Sequence, residues 1–365
     1  MEELLISTKH DFARFRGLLD KAPESTIYHT LEYVDLVADH LGSESYYLGI
    51  KENDRLIGAM TLVLKRNTNL GNIINSNPYY GSYGGLLVHP DLPPMKKAEV
   101  KCRLLEFFKD FAIKHDCVLS TIIASPFDRD QTFYFDNLDF NYRDWRVAQV
   151  TLIPPPSKKN LRESLFLNRF SQSCRRAIRK AEKLGINIKE TTEKGNALDE
   201  FYKIYRENME SMGASVKEKS FFETALDTLP KGVCTLRYAK LEGNIIGGIF
   251  HFYHKDIIEY YQPAIDHNYR NSSANNLLVF HGMMHAARNG YLYWNFGGTW
   301  KSLETLYHFK RSFGAIDFVY YYFITAHTDD THIKELEPAD LAKEYPGFYV
   351  IPHSELTASP SPVFP

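Results

Sequence analysis

The sequence predicts an α+β fold built from two similar halves. Three observations carry this: a repeated hairpin, a repeated helix-then-strand, and a run of prolines between the copies. In the first half Tyr47-Leu48-Gly49-Ile50-Lys51 begins a strand, Glu52 to Arg55 turns, and Leu56 to Leu64 returns. In the second, Thr235 to Lys240 is followed by Leu241 to Asn244 and then by Ile245 to Phe252. The two align without a gap: Lys51 with Lys240, Ile57 with Ile246, Gly58 with Gly247. Two β-rich runs around a short polar turn are the pattern of a hairpin. Glycine at the same place in both predicts a bulge or a close backbone approach.

The second repeat lies further along each half. Leu104-Leu105-Glu106-Phe107 opens a helical stretch to about Lys114, and Val118 to Ile123 reads as a strand. Leu277-Leu278-Val279-Phe280 opens another to Arg288, Asn289-Gly290 stops it, and Tyr291 to Phe296 is the strand. This order suits an α+β layer better than strictly alternating βαβ units. The join falls in Thr151-Leu152-Ile153-Pro154-Pro155-Pro156-Ser157, because consecutive prolines continue neither a helix nor a central strand. The expected domains are 1–153 and 154–325. An extension over 326–365 loses periodicity and ends in a frayed tail from Ser359.

Composition narrows the function classes. A length of 365 residues suits two domains, and 44 % hydrophobic with 24 % charged residues is the balance of a folded protein. A formal net charge of -2 argues against binding DNA or membranes through bulk charge, although a local patch can still hold phosphates. No apolar run approaches the roughly 18 residues that span a bilayer, and Glu2 and Glu3 do not suit a secretory signal. Cys102, Cys117, Cys174 and Cys234 lie far apart, as reduced cytoplasmic thiols do. A cytoplasmic location is the expectation. His281 and His285 have helical i, i+4 spacing, but Gly282 stands where a zinc protease has its Glu, so no metal site is expected.

Several segments together resemble the Fem-type transferases. These are the Ile-Gly-Gly hairpin, the helix 277–288, Tyr293-Trp294-Asn295-Phe296-Gly297-Gly298, and Phe309-Lys310-Arg311-Ser312-Phe313-Gly314. Arg175-Arg176-Ala177-Ile178-Arg179-Lys180-Ala181 and the Tyr-Gly-Gly stretch around Tyr83-Gly84-Gly85 add to the likeness, which covers roughly residues 25 to 325. The resemblance implies two tandem GNAT (acyl-CoA N-acyltransferase)-like domains, with the acceptor on the first domain's side and the donor on the second's. It also implies transfer of an aminoacyl or acyl group to an amine of a cell-envelope precursor, peptidoglycan or polysaccharide. The chain departs from the family at Tyr33, where many relatives have Trp, and at Leu36, where some place a phosphate-binding Lys. That departure argues against a nucleotide-linked muropeptide as acceptor.

Acyl transfer to an amine needs an oriented carbonyl, a neutral amine and positive charge where the oxyanion develops. The resemblance assigns the charge to Lys310; a surface lysine packed on Phe309 or Phe313 is the alternative. No dedicated base is expected, the substrate itself shuttling the proton; Asp317 is the alternative. The basic stretch 171–185 reads as an amphipathic helix, with Ala177, Ile178, Ala181 and Leu184 as its apolar stripe. Its Arg175, Arg176 and Arg179 suit phosphate of the acceptor or of a tRNA backbone, or else form a solvated face. Tyr79, Tyr80 and Tyr83 are expected to line the acceptor cleft or to pack in the core. Arg270-Asn271-Ser272-Ser273-Ala274-Asn275 precedes a helix and follows a strand, the place of an anion cradle. Arg270, Ser272, Ser273 and Asn275 are the donor-site candidates there, with Trp300 and Lys301 at its edge.

Acetyl-CoA enzymes of this superfamily carry glycines in that loop, and this chain carries none, which favours another donor. Aminoacyl-tRNA, an acyl-CoA or an acyl-carrier is therefore the expected donor substrate, with no bound cofactor. The partners expected are an envelope precursor and a tRNA, with no DNA, no membrane-spanning segment and at most a transient membrane-surface association. Two rival readings stay open. One is an acyl-CoA- or carrier-dependent N-acyltransferase on a sugar or small amine; the other is a catalytically silent tandem binding protein.

Overall fold

A computed structural model of the chain describes residues 1–78, 82–155, 165, 169–299 and 303–357. In chain order the first half runs β1 (Glu2–Leu5), α1 (Lys9–Lys21), α2 (Leu31–His40), β2 (Glu44–Glu52), β3 (Arg55–Lys65), β4 (Asn72–Asn75) and β5 (Leu87–Val88). It continues through α3 (Pro94–Lys114), β6 (Cys117–Ile123), α4 (Thr132–Asn137) and β7 (Tyr142–Leu152). The second half runs α5 (Gln172–Lys183), β8 (Asn187–Thr191), α6 (Asn196–Ser211), α7 (Lys219–Thr228), β9 (Cys234–Leu241), β10 (Asn244–His254) and β11 (Ile257–Ile265). Then come α8 (Ala274–Arg288), β12 (Tyr293–Thr299), α9 (Glu304–Ser312) and β13 (Ile316–Ala326), followed by α10 (Thr331–Lys334) and α11 (Pro338–Glu344). Two compact units emerge: Met1–Arg146 with the chain from Val319, and Val147–Phe318. The chain thus passes from one unit to the other within β7 and returns within β13, upstream of the prolines in the first case. The stretch from 326, where sequence periodicity fades, holds α10 and α11; both are too short to show a helical repeat.

The two hairpins are the same object built twice. Glu52 pairs with Arg55 around Asn53 and Asp54, both at positive φ, and Leu241 pairs with Asn244 around Glu242 and Gly243, also both at positive φ. Two consecutive left-handed residues make the turn whose twist matches the strands it joins. Each hairpin also slips register at the same aligned position: between the pairs Lys51–Leu56 and Ile50–Gly58, and between Lys240–Ile245 and Ala239–Gly247. Ile57 and Ile246 are the extra residues, and the aligned glycines follow them. A side chain at Gly58 would strike Val100 on α3, and one at Gly247 would meet Ala264 O at 2.6 Å.

In the first unit, strands run β1-β2-β3-β4-β6-β13, with β4 and β6 parallel and joined through α3. Its core gathers Leu48, Met60, Leu62, Leu104, Phe108 and Ile122. In the second, strands run β7-β12-β11-β10-β9-β8, with β11 and β12 parallel and joined through α8. The core on the α8 face takes Ile178 and Ala181 from α5, Leu277, Leu278 and Met283 from α8, and Trp294 and Phe296 from β12. A parallel pair needs such a crossover, and the helix covers the sheet face.

Trp294 is fully buried, and its ring lies against the backbone of α8 at Gly282. A single added methyl there has no space unless helix and sheet separate. Gly282→Ala should therefore destabilise the chain by about 1–3 kcal/mol despite alanine's better helix propensity. Urea unfolding of the variant against wild type measures it, and an unchanged or raised midpoint would refute the packing described.

Candidate active site

The site grows from a difference between the two parallel strand pairs. In the first unit the gap beyond β4 and β6 is stitched shut: Ser76 N–H donates to Thr121 O at 2.9 Å, Ile123 N–H to Ser76 Oγ at 2.9 Å, and Gly84 N–H to Ile123 O at 2.8 Å. Gly84 is required because a Cβ would run into Ser76, and Gly85, at φ +98°, because a Cβ would meet the Tyr134 hydroxyl at 2.9 Å. In the second unit, β11 and β12 pair only from Ile257–Tyr293 to Glu259–Asn295. Asn295 Nδ2 then donates to Glu259 Oε2 at 2.8 Å, both residues buried, and past that point the strands no longer pair.

A bulge in β12 accompanies the opening. Asn295 pairs with Val150 and Gly298 with Ala148, so Phe296 and Gly297 together oppose the single residue Gln149 of β7. Gly297 sits at φ +72°, where glycine carries no steric penalty, and its N–H turns back to Asn295 Oδ1 at 2.9 Å. Lys310, in the last turn of α9, reaches the carbonyls so exposed. Its Nζ donates to Thr299 Oγ1 at 2.5 Å, Gly298 O at 3.2 Å and Gly297 O at 3.4 Å, and the residue is 3 % exposed. Burial lowers the pKa of this amine to about 7, since charge is disfavoured away from water. The end of a short helix favours a cation and offsets part of that cost. An oxyanion would be met by exchange of one of the two longer bonds.

Gln149, on β7 opposite the bulge, packs against the helix that carries Lys310 and has no counterpart in the sequence reading. It is fully buried; its Nε2 donates to Tyr307 O at 3.3 Å, and its Oε1 has no hydrogen-bond partner. Tyr307 and Lys310 are three apart on α9 and so share a face. An unpaired buried amide oxygen is fit to receive an N–H. Only the strand register reveals it. Asp317 is engaged through one oxygen: Tyr307 Oη donates to its Oδ2 at 2.6 Å, while its buried Oδ1 has no hydrogen-bond partner and lies 3.7 Å from the Arg311 guanidinium.

The donor-loop candidates lie together at the start of α8. A 3-10 turn over His267–Ser272 ends in Ser273 at φ 62°, ψ 25°, a left-handed conformation that glycine adopts without strain. Ser272 Oγ donates to Tyr269 O at 2.6 Å and accepts the Ala274 N–H at 3.2 Å, so it is Ser272 rather than Ser273 that caps the helix. Asn275 exchanges hydrogen bonds with the Tyr260 hydroxyl at 3.1–3.2 Å, anchoring the helix to β11 where the strands part. Arg270 is exposed on the turn. The helix begins two residues before Asn276, where the sequence places it.

Arg175, Arg176 and Arg179 lie on α5, with Arg176 and Arg179 on the exposed face and Cys174, Ile178 and Ala181 buried. From that helix Lys180 Nζ donates to Asn271 O at 2.6 Å. The basic helix therefore abuts the donor loop. Tyr83 is fully buried in the first unit, with ring centroids 5.5 Å from Tyr28 and 5.0 Å from Tyr320, in core packing. Tyr33 donates to or accepts from Ser82 Oγ at 3.1 Å, and Leu36 is buried. Tyr79, Tyr80, Trp300 and Lys301 lie outside the described residues. A second lysine that the sequence reading passed over is Lys217, between α6 and α7. Its Nζ stands 5.5 Å from the centroid of the Tyr261 ring on β11, and desolvation lowers its pKa to about 7.

Residues 168–311 match the family described as the acetyltransferase (GNAT) domain, so the second unit carries an acyltransferase domain. No curated protein matches the chain in sequence. Among solved structures the chain resembles FemX, with TM-score 0.68 at 15 % identity over 91 % of this chain and 98 % of that one. It also resembles a tandem GNAT protein of the clavulanic acid biosynthesis pathway, with TM-score 0.53 at 11 % identity over 90 % and 99 %. A third is the C-terminal domain of a protein named as a lysylphosphatidylglycerol synthetase from Agrobacterium fabrum, with TM-score 0.53 at 11 % identity over 92 % and 94 %. These likenesses establish the fold as two tandem GNAT-like units. Among the described residues no helix is long and apolar enough to cross a membrane.

The buried amine makes a prediction about stability. An unfolded Lys310 titrates near 10.5 and the folded one near 7, so between those values the unfolded chain binds the extra proton and stability rises with pH. Lys310→Met removes that contribution. Whatever the sign of the difference, the stability of the variant relative to wild type in urea should be highest at and below about pH 7 and fall by pH 9; a pH-independent difference would show that the amine is not desolvated.

Proposed function

We propose that the chain transfers an acyl or aminoacyl group from an activated carrier to an amine, with the donor bound in the second unit. One observation carries this: the strand pair β11–β12 opens at Glu259–Asn295 beside a buried lysine held on the carbonyls of a bulge. Backbone groups left unpaired inside a sheet form a slot for an extended, amide-bearing carrier arm. The start of α8, capped at Ser272, sits where the carrier's phosphate would lie. The carbonyl to be attacked then falls near the bulge. Lys310, in its charged form, stabilises the oxyanion, and Gln149 Oε1 accepts an N–H of the attacking amine. The neutral amine attacks, a bond forms from nitrogen to the acyl carbon, the bond from acyl carbon to carrier breaks, and the carrier leaves with that electron pair and takes up the proton that the nitrogen sheds.

For the acceptor we favour an amine of a cell-envelope precursor, and for the donor an aminoacyl-tRNA or acyl-carrier rather than acetyl-CoA. The fold shared with FemX and with the protein named for lysylphosphatidylglycerol supports an envelope role. The loop at 270–275, with side chains where a pyrophosphate would lie close to backbone, supports the choice of donor. Ser273 supports the second reading, an acyl-CoA N-acyltransferase, because its left-handed turn keeps the loop shape that glycine would give. A cytoplasmic setting without a bound cofactor belongs to the same proposal.

Mass spectrometry of envelope precursors from cells with and without the protein should show a difference of one acyl or aminoacyl unit. Tight calorimetric binding of acetyl-CoA would instead favour the second reading. With the substrates in hand, Lys310→Met should lower kcat roughly 100-fold or more, about 3 kcal/mol, the loss seen when one oxyanion partner is removed. Gln149→Leu should cost less and act on the same step. Full activity of Lys310→Met would overturn the mechanism.

A further inference from the structure

The outer end of β11 carries a contact that the transfer mechanism leaves unused. Beyond Glu259 the strand has β10 on one side and, among the described residues, no strand on the other. The register fixes which backbone groups face the open side. Asp266 N–H donates to Ile246 O at 3.0 Å, and Ile265 stands opposite Gly247. Hydrogen-bonded pairs alternate along an antiparallel ladder, so Asp266 and Ala264 turn their groups toward β10 while Ile265 and Pro263 turn theirs away. Proline suits such an edge position because it brings no N–H to a ladder. Of these two residues, Ile265 is therefore the one that offers the open side both a donor and an acceptor.

One side chain takes both. Asn208 Nδ2 donates to Ile265 O at 3.1 Å, and Ile265 N–H donates to Asn208 Oδ1 at 3.2 Å. A carboxamide presents a C=O and an N–H as a backbone peptide does, so Asn208 pairs with β11 as one residue of an added strand would. It sits in the last turn of α6, whose buried stripe is Leu198, Phe201, Ile204 and Tyr205. Position 208 continues that stripe at helical spacing, where an apolar residue would be the ordinary choice. A carboxamide in such a place is costly unless it is hydrogen-bonded, and the strand edge supplies the bonds.

We propose that Asn208 determines which carriers the donor site accepts: its carboxamide fills the pairing place on β11 that an amide-bearing arm of the pantetheine class would use. This rests on the reading of the opened strand pair as the donor slot. An arm that displaces Asn208 exchanges two hydrogen bonds for two and gains little, whereas an arm meeting a bare edge gains both. The effect is confined to the outer end of the slot. A carrier that pairs further in, or that is held by its phosphate and acyl ends alone, loses nothing by it.

The test uses the full chain with two probes, pantetheine and CoA, followed by ligand-observed NMR. Wild type should give no saturable signal with pantetheine. Asn208→Ala should acquire one, and should bind CoA about tenfold or more tighter than wild type does, the worth of the two bonds regained. Asn208→Ser, which shortens the side chain and keeps it polar, should shift the same way and keeps the test alive if Asn208→Ala does not fold; urea unfolding checks both. Pantetheine binding by wild type equal to that of the variants, or no gain with either probe in a folded variant, would overturn the proposal and leave the transfer mechanism untouched. A gain in the Asn208 variants alongside full activity of Lys310→Met would sink that mechanism and leave the role of Asn208 standing.

Discussion

Everything the second unit is fitted to do depends on two parallel strands that part company after three residue pairs. Parallel strands joined by a helix ordinarily stay paired along the sheet, because an unpaired backbone group inside a fold costs as much as a lost hydrogen bond. Here the bulge at Phe296 and Gly297 interrupts the ladder of β12, and the carbonyls of Gly297 and Gly298 accept from the Lys310 amine. The lysine thus stabilises the opening as well as serving it. Its partners are neutral oxygens, and the amine's lowered pKa follows from that choice: desolvation lowers it, and carbonyls compensate less than a carboxylate would.

The first unit shows what the same topology does without that device. Ser76, through its backbone and its hydroxyl, and Gly84 close the corresponding strand gap, and the Tyr-Gly-Gly segment lies in it. The glycines there serve closure: one because Ser76 lies against it, the other because of its left-handed φ and the Tyr134 hydroxyl. The Gly84-Gly85 part of the stretch that carries the resemblance thus acts as a stitch between strands. Tyr83 follows suit by packing among tyrosines.

What the sequence disclosed follows the range of the interactions involved. The turns and the bulge position of both hairpins were legible to the residue, because two-residue turns and the glycine after each bulge are local and repeated, while the strands extend up to three residues further than expected. Lys310 was legible through resemblance, and its burial was not, since burial depends on the bulge that receives it. Gln149 was invisible because its significance lies in register: one residue against two on a neighbouring strand nearly 150 positions away in sequence. The contact between Lys180 and Asn271, 91 positions apart, was hidden for the same reason. Lys217 reads as an ordinary loop cation until Tyr261 is placed beside it. The start of α8 was set two residues late because a left-handed serine, rather than a glycine, precedes the helix.

That serine bears on how a duplicated fold diverges. A left-handed residue other than glycine costs roughly 1–2 kcal/mol, and here Ser272 offsets the cost by capping the helix from the preceding position. The backbone shape of the loop is thereby retained while its surface changes from bare peptide to hydroxyl-bearing side chains. Shape governs whether an anion is received at the helix start, and surface governs which carrier fits against it. Lys180 on α5 ties the same loop to a row of cations, which lengthens the charged path beyond what a single pyrophosphate would occupy. The left-handed shape at Ser273 is common to both proposed donors; the side-chain surface of the loop and the cationic approach are what favour, in the reading proposed above, a donor larger than a bare-glycine loop accepts.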